Sequence, residues 1–199
     1  MDRKGAQGGG CEKAISSLCG DGGDAGSSER GGVGGGRGRY GRSCRLAGGA
    51  GDDSIVGEEG EDFLAGDPTL FGPGSEDSLA GGPGEDQVYG RSGDDYVSGG
   101  PGKDEISGTL GADAVSGGDG DDLVDDGPHL DAAADEISGG SGDDVMDAFN
   151  DPAGADVVLC GSGDDLVYTD GTDEISDDCE RTVRGPHPDP WDARFGVTR

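Results

Sequence analysis

A nine-residue period dominates the middle of this chain. Thirteen times an Asp stands two residues before an apolar side chain, and six of these pairs, from Asp77 to Asp122, follow one another without interruption. Units with the same pattern begin upstream at Gly48 and continue downstream as far as Asp173. A fixed period of this kind indicates stacked copies of one small structural unit, so it constrains the architecture more than any local signal does.

Each unit reads Gly-Gly-x-Gly-x-Asp-x-U-x, where U is apolar. Glycines fall where a chain turns tightly or approaches another backbone. Positions seven to nine place one apolar residue between two mostly polar ones, which predicts a short strand with one buried face. Two units then form one coil of about eighteen residues, so we predict an all-β fold, a right-handed parallel β-roll (a β-solenoid) with disordered termini. The predicted inward-facing residues are Ile55, Leu64, Leu79, Val88, Val97, Ile106, Val115, Val124, Ile137, Met146, Val158, Val167 and Ile175.

This pattern resembles the hemolysin-type, or RTX, calcium-binding repeat, and the resemblance covers roughly residues 48–180. It implies that each Ca²⁺ lies between turns of successive coils, held by the Asp at position six and by main-chain carbonyls of the glycine turn. The implied metal ligands are Asp53, Asp62, Asp77, Asp86, Asp95, Asp104, Asp113, Asp122, Asp144 and Asp165, together with Gly82, Gly84, Gly93, Gly100, Gly102, Gly118 and Gly120.

Turns on the same edge of the roll come from alternate units. Among the six uninterrupted units, one edge is therefore expected to carry Asp77, Asp95 and Asp113, and the other Asp86, Asp104 and Asp122, which gives four sites between coils. Acids at position five are expected to face solvent; they are Asp94, Asp121, Asp143 and Asp164. Insertions break the register at Gly66–Phe71, Asp126–His129 and Ala148–Asn150, and we expect interrupted coils to lose sites.

The charge of the repeat region favours the same ion. Residues 48–180 carry 37 Asp and Glu against only Arg91 and Lys103, and the whole chain has a net charge of −30. Such self-repulsion opposes a compact state, and thirteen apolar side chains bury little surface against the entropy of ordering the chain. Hard oxygen ligands favour calcium over zinc or copper, so we predict several bound Ca²⁺ ions and a chain that folds on binding them. The alternative is an acidic, glycine-rich disordered segment, although disorder does not account for the repeated Asp spacing.

Outside the repeats the sequence is less informative. Residues 1–47 are predicted to be a disordered Gly/Arg/Ser-rich segment, 48–180 the calcium-binding β-roll, and 181–199 a proline-containing tail. The stretch Arg30–Arg42 is similar to RGG-type nucleic-acid tails, but a flexible linker fits better and the negative charge argues against a nucleic-acid partner. No apolar run is long enough for a membrane span.

The cysteines allow one pairing to be predicted. Cys160 and Cys179 lie nineteen residues apart, close to one coil, which would place their Cα atoms about one strand spacing (~4.8 Å) apart. That distance permits a disulfide, which would close the last coil; two free thiols are the alternative. Cys11, Cys19 and Cys44 form an odd set whose pairing stays open, and their spacing fits no zinc site.

Enzymatic motifs are absent: the chain has no His-Glu-x-x-His, no Gly-x-Ser-x-Gly and no Walker loop, so we do not expect an enzyme. Two functions remain. One is a secreted, extracellular calcium-binding module, folded where calcium is millimolar, although no signal peptide is recognisable. The other is a calcium-dependent binding scaffold, or the repeat part of a larger secreted toxin, adhesin or hydrolase. Outward apolar residues at position seven could serve self-association or an extracellular protein or glycan partner; they are Phe63, Tyr96, Leu123, Val145, Val157 and Leu166.

Overall fold

A computed structural model describes residues 13–16, 43–69, 74–127, 132–150 and 154–185. Within these ranges the strands form two parallel eight-stranded sheets, and no helix is long and apolar enough to cross a membrane. The first sheet contains β1 (Lys13–Ser16), β3 (Asp53–Val56), β5 (Ser78–Ala80), β7 (Tyr96–Pro101), β9 (Ala114–Asp119), β11 (Glu136–Ser141), β13 (Val157–Ser162) and β15 (Glu174–Ile175). The second sheet contains β2 (Arg45–Ala47), β4 (Phe63–Ala65), β6 (Gln87–Ser92), β8 (Glu105–Leu110), β10 (Leu123–Asp125), β12 (Val145–Ala148), β14 (Leu166–Thr169) and β16 (Arg181–Arg184).

Successive strands alternate between the two sheets, so each coil contributes one strand to each sheet. Within a sheet the apolar position of one coil lies opposite the apolar position of the next, as for Val88 and Ile106 in the second sheet. Val97 and Val115 are paired in the same way in the first sheet. This arrangement confirms the predicted parallel β-solenoid.

The side chains at position eight fill the space between the sheets. Of the thirteen residues predicted to point inward, twelve are at most 2% exposed. Ile175 is the exception: it is only partly buried, because β15 is the last strand of its sheet and no described strand follows it. Cys44 and Leu46 join the core from the other end, although neither was predicted there.

Both sheets extend beyond the boundaries predicted at residues 48 and 180. β1 and β2 lie within the segment predicted to be disordered, and β16 lies within the predicted tail. The reason is that parallel pairing uses main-chain groups, so a strand can join the stack without the repeat's Asp at position six. Cys44 occupies that position before β2, and Glu180 occupies it before β16. The other predicted terminal residues, 1–12, 17–42 and 186–199, lie outside the described ranges.

The two edges of the roll differ in the length of their turns. We call the turns that lead into the even-numbered strands the regular edge; each of its aspartates follows the preceding one by nine residues, as Asp86 follows Asp77. The turns that lead into the odd-numbered strands form the insertion edge, because all three insertions lie there. The position-six acids of the regular edge are Asp62, Asp86, Asp104, Asp122, Asp144, Asp165 and Glu180, and those of the insertion edge are Asp53, Asp77, Asp95, Asp113, Asp135, Asp156 and Asp173.

The predicted disulfide between Cys160 and Cys179 is present, with Cα atoms 5.1 Å apart. It joins β13 to the turn before β16 and so connects the last two coils. Cys44 also takes part in a disulfide, and its pairing lies outside the described residues.

The apolar residues at position seven do not form one stripe. Tyr96 and Val157 lie on the outer face of the first sheet and are 69% and 38% exposed. The other four lie on the outer face of the second sheet, on the opposite side of the roll, and are half-buried; they are Phe63, Leu123, Val145 and Leu166. The longest consecutive set is the ladder formed by Leu123, Val145 and Leu166.

Candidate metal centre

The carboxylates at position six form one row along each edge. In each row an Asp Oδ1 accepts a hydrogen bond from the main-chain N–H of the position-six residue one coil earlier. Asp77 N–H donates to Asp95 on the insertion edge, and Asp86 N–H donates to Asp104 on the regular edge, both at 2.8 Å. The same contact recurs from Cys44 to Asp165 at 2.6–2.9 Å. One oxygen of each carboxylate is therefore fixed by the backbone of the neighbouring coil.

The second oxygen has a different environment. For eight of the ten predicted Asp ligands, the described residues provide no hydrogen-bond donor to Oδ2, although the side chains are at most 3% exposed. A buried carboxylate oxygen without a donor or a cation is costly, because it has lost its water. These eight residues are Asp62, Asp77, Asp86, Asp95, Asp104, Asp122, Asp144 and Asp165.

Each of these Oδ2 atoms on the central coils faces the first glycine of its own turn. A Cβ added at Gly99 would lie 2.5 Å from Asp104 Oδ2 and 2.8 Å from the carbonyl oxygen of Gly117, one coil further on. On the insertion edge, a Cβ at Gly90 would meet Asp95 Oδ2 and a carbonyl oxygen of the next coil at the same two distances. A carboxylate oxygen and a main-chain oxygen thus approach one point from two coils, and a side chain there would fill that space.

The seven turn glycines predicted as carbonyl ligands lie where successive turns are in closest contact. At each of them an added Cβ would come within 3.0 Å of a main-chain carbonyl oxygen of the preceding coil. The oxygens involved include those of the predicted glycines themselves: the Gly82 carbonyl faces Gly100, and the Gly84 carbonyl faces Gly102. The implied carbonyl ligands therefore lie at close contacts between successive turns, whereas the carbonyl oxygens found beside Oδ2 belong to position-one residues such as Gly117, which were not among the predicted ligands. The seven residues are Gly82, Gly84, Gly93, Gly100, Gly102, Gly118 and Gly120.

The rows are electrostatically unfavourable without a cation. Burial raises the pKa of Asp95 and of Asp122 to about 7, and repulsion from the preceding Asp of the same row, Asp77 and Asp104 respectively, adds to the effect. Burial likewise raises the pKa of Asp77, Asp86 and Asp144 to about 6. A positive ion between the coils would reverse this effect, since it favours the charged carboxylate.

The donor set identifies the kind of ion that fits. Carboxylate and carbonyl oxygens are the ligands of hard cations, and calcium accepts six to eight of them in flexible geometry. The position-five acids Asp94, Asp121, Asp143 and Asp164 are exposed, as predicted. The carboxylates of Asp94, Asp121 and Asp143 each accept a hydrogen bond from a main-chain N–H of the next coil. A bound Ca²⁺ would neutralise buried charge and connect successive coils. Fold and site together thus define a parallel β-solenoid with rows of oxygen ligands between its coils.

Comparison with protein families gives the same result independently. Four stretches of the chain match the RTX calcium-binding nonapeptide repeat, at residues 45–68, 71–106, 98–125 and 131–150. The chain belongs to the family of RTX calcium-binding repeat proteins, as its sequence predicted. Among curated proteins, the chain has no significant match. Repeats of this family bind calcium, which supports calcium binding by the two rows.

Sequence reasoning did not include three buried carboxylates that the structure brings together. Asp126, Asp135 and Asp156 each offer one oxygen within 4.8 Å of the others. Asp135 and Asp156 belong to the Asp-x-U pattern but lie beside register breaks. Asp126 stands at position one, where most units have Gly, and this substitution was the available signal.

Proposed function

We propose that this chain is a non-enzymatic calcium-binding module that folds when several Ca²⁺ ions bind along both edges of the β-roll. The observation that carries the proposal is the pair of rows of buried carboxylates, each with one oxygen fixed by backbone and, in eight cases, a second oxygen without a donor. The ions would lie between Asp77 and Asp95 and between Asp95 and Asp113 on one edge. On the other edge they would lie between Asp86 and Asp104 and between Asp104 and Asp122.

Coupling between binding and folding follows from the position of the ligands. Each gap takes oxygens from two coils, for example from Asp104 and from Gly117 of the following turn. Such a site exists only when the coils are stacked, so binding free energy becomes folding free energy. Because the repeat region is strongly acidic, cations also remove the repulsion that opposes stacking.

The same coupling supports an extracellular role. Modest sites with dissociation constants of about 10⁻⁴–10⁻³ M are filled by extracellular calcium and left empty at cytosolic levels. The chain would then be unfolded inside the cell and folded outside it, as a structural or interaction module. Secretion is part of this proposal, and calcium-dependent folding at about millimolar concentration is its measurable consequence.

A calcium titration of the full chain tests the proposal. In EDTA we expect the far-ultraviolet circular dichroism of a largely unfolded chain, and calcium should produce a cooperative transition to a β spectrum. Magnesium at equal concentration should not, because it demands small octahedral sites. An ordered β-roll in EDTA, with a spectrum insensitive to calcium, would overturn the proposal.

Matched variants assign the ligands. The double variant Asp95→Asn and Asp104→Asn keeps the hydrogen bonds to Oδ1 but removes one charge from each edge, so the calcium midpoint should rise by at least about tenfold. The control, Asp94→Asn and Glu85→Gln, removes the same charge from exposed position-five sites and should leave the midpoint almost unchanged. Equal midpoints for the two double variants would remove the position-six rows from the calcium sites.

A second candidate function is calcium-dependent self-association through the second sheet. Leu123, Val145 and Leu166 are consecutive neighbours on its outer face, which favours an apolar contact between molecules. Light scattering in calcium should then show a dimer that Val145→Glu makes monomeric. A wild-type monomer that binds no protein or glycan partner would favour the structural role.

A further inference from the structure

At the register break after β10, three buried carboxylates lie close together, and no other turn among the described residues forms such a cluster. Asp126 takes the position-one place that Gly90 and Gly108 hold in the preceding turns of the same edge. Its main-chain N–H donates to Asp147 O at 3.1 Å and its carbonyl accepts from Thr109 N–H at 2.9 Å, so the residue stays in the coil stack. The carboxylate therefore enters the space that the glycines leave open elsewhere.

The environment of Asp126 is acidic and dry. The side chain is 2% exposed, and neither of its oxygens receives a hydrogen bond from an N–H or hydroxyl group in the described chain. Asp135 and Asp156, the position-six residues of this turn and the next on the same edge, each place an oxygen within 4.8 Å of it. Burial, followed by repulsion from Asp125 and then from Asp156, holds the pKa of Asp126 well above its usual range.

Asn150 provides an independent indication of a ligand. Its side chain is 2% exposed, and neither its oxygen nor its nitrogen has a hydrogen-bond partner in the described residues. A Cβ added at Gly154 would lie 3.2 Å from Asn150 Oδ1, 3.2 Å from Asp156 Oδ1 and 2.6 Å from the carbonyl oxygen of Ala133. The amide oxygen of Asn150, the main-chain oxygen of Ala133 and Asp156 Oδ1 thus border one space beside Gly154.

From this arrangement we infer that the break holds a cation site of its own, in which Ca²⁺ is bound by Asp126, Asp135 and Asp156 with Asn150 Oδ1 as a neutral ligand. The inference rests on the proposed function in one respect, namely that the ion is calcium. The insertion then exchanges the repeat's main-chain ligands for side-chain ligands, and the coil that the sequence predicts to lose a site keeps one. Three carboxylates also give this site more negative charge than a repeat site has, so it should be the tightest in the chain.

Two carboxylates as close as those of Asp126 and Asp156 can instead share a proton, and the two arrangements make opposite predictions. A shared cation makes Asp126 necessary for one bound ion. If the two carboxylates share a proton instead, replacing Asp126 should change neither the number of bound ions nor calcium binding elsewhere in the roll.

The test is a calcium titration by isothermal calorimetry, with ion counting by native mass spectrometry, on the full chain. Asp126→Gly installs the residue that the repeats themselves use at position one, so the backbone accepts it. Asp126→Asn keeps the shape and removes the charge, and it provides the answer if the glycine variant does not fold. The control is Glu136→Gln, which removes an exposed charge from the same coil.

The expected result is that Asp126→Gly binds one ion fewer than the wild type and loses the tightest phase, and that Asp126→Asn weakens this phase by about tenfold or more. Glu136→Gln should match the wild type in count and affinity. If the Asp126 variants retain the wild-type count and the tightest phase, the site does not exist and the two carboxylates share a proton. A wild-type chain that binds no calcium at all would instead contradict the proposed function, so the two failures are distinguishable.

Discussion

The regular edge and the insertion edge stack their coils through the same Asp contacts but use different turns. On the regular edge each unit that ends at Asp62 through Asp165 has the same length, and each of these turns has Gly at position four, as at Gly84 and Gly102. On the insertion edge the chain adds residues at three places and puts Arg91 and Thr109 at positive φ, a region that favours glycine; the regular edge has one such non-glycine residue among those described, Glu58. Yet the carboxylate row continues along both edges, which shows that the row does not depend on turn length.

The hydrogen bonds between coils explain this tolerance. Asp104 N–H reaches Asp122 across 18 residues, and Asp122 N–H reaches Asp144 across 22, both at 2.9 Å. The last residue of the turn thus returns to the same place whatever the number of residues before it. Register is therefore set by the parallel strands and the position-six Asp, and the glycine turn determines which oxygens line the gap.

Acid is expected to have the largest effect, because it acts on both edges alike. Without calcium the folded-state pKa values of Asp86, Asp95 and Asp122 lie at about 6 to 7, above the ordinary value of 3.8. The folded state then binds more protons than the unfolded state, so these groups contribute stability at low pH that is lost as pH rises through about 6 to 7. In EDTA, lowering the pH from about 7.5 to about 5 should therefore induce β structure, measured by circular dichroism.

Protons and calcium should also substitute for each other in folding. As pH falls through the same window, the calcium midpoint for folding should fall, because protonation of the rows already stabilises the folded state. Acid and calcium thus replace each other in neutralising the carboxylates. A chain that remains unfolded at about pH 5 in EDTA, with a calcium midpoint independent of pH, would contradict the assignment of raised pKa values to these rows.

A glycine substitution separates close stacking of the turns from backbone strain. At Gly102 an added Cβ would overlap the carbonyl oxygen of Gly84, and φ is +150°. Overlap and backbone strain together should cost about 3 to 5 kcal/mol in the free energy of unfolding for Gly102→Ala. Gly51, in the first described turn of the insertion edge, is the control: φ is +96° but none of the described residues lies within 4 Å of an added Cβ, so Gly51→Ala should show the strain alone, about 1 to 2 kcal/mol.

Urea unfolding at saturating calcium measures both variants. Equal losses would mean that close stacking of the regular edge contributes nothing beyond local backbone conformation.

The fold could be predicted from the sequence because the period places every apolar side chain on one face. Ile106 and Val158 are fully buried where the period put them. Leu46 was missed because Cys44 stands where the pattern requires Asp, and main-chain pairing does not require that Asp. Ile175 was expected inside because the pattern does not show where the stack ends.

The candidate site was predictable only as far as it repeats. Each row is a consequence of the two-unit coil, so Asp77, Asp95 and Asp113 could be assigned to one edge in advance. The cluster around Asp126 could not, because a register break was taken as the loss of a site. Asp156 lies thirty residues further along the chain, and only the stacking of successive coils brings it beside Asp126.

Removal of the Cys160–Cys179 disulfide should show how far the repeat alone stabilises the last coil. Cys160 replaces glycine at position one, and the following units shorten, with Asp173 and Glu180 only seven residues apart. Closing a loop of this size contributes about 3 kcal/mol, so Cys160→Ala with Cys179→Ala should destabilise the last coil by about that amount. Hydrogen exchange in calcium should report faster exchange at Val167 and unchanged exchange at Val97. Equal protection of Val167 in both proteins would show that the bridge is dispensable.

The smallest expected effect concerns the strain at Arg91, where φ is +88° and the side chain is half-buried. Arg91→Gly and Arg91→Ala both remove the charge and the long side chain, but only glycine relieves the backbone, so Arg91→Gly should be more stable than Arg91→Ala by about 1 kcal/mol. Glu85, in the adjacent turn of the regular edge, does not have positive φ, and there the order should reverse, with alanine above glycine. The sign of the difference at the two positions, measured by urea unfolding in calcium, decides whether the turn at Arg91 carries backbone strain that the turn at Glu85 does not. The same order at both positions would mean that it does not.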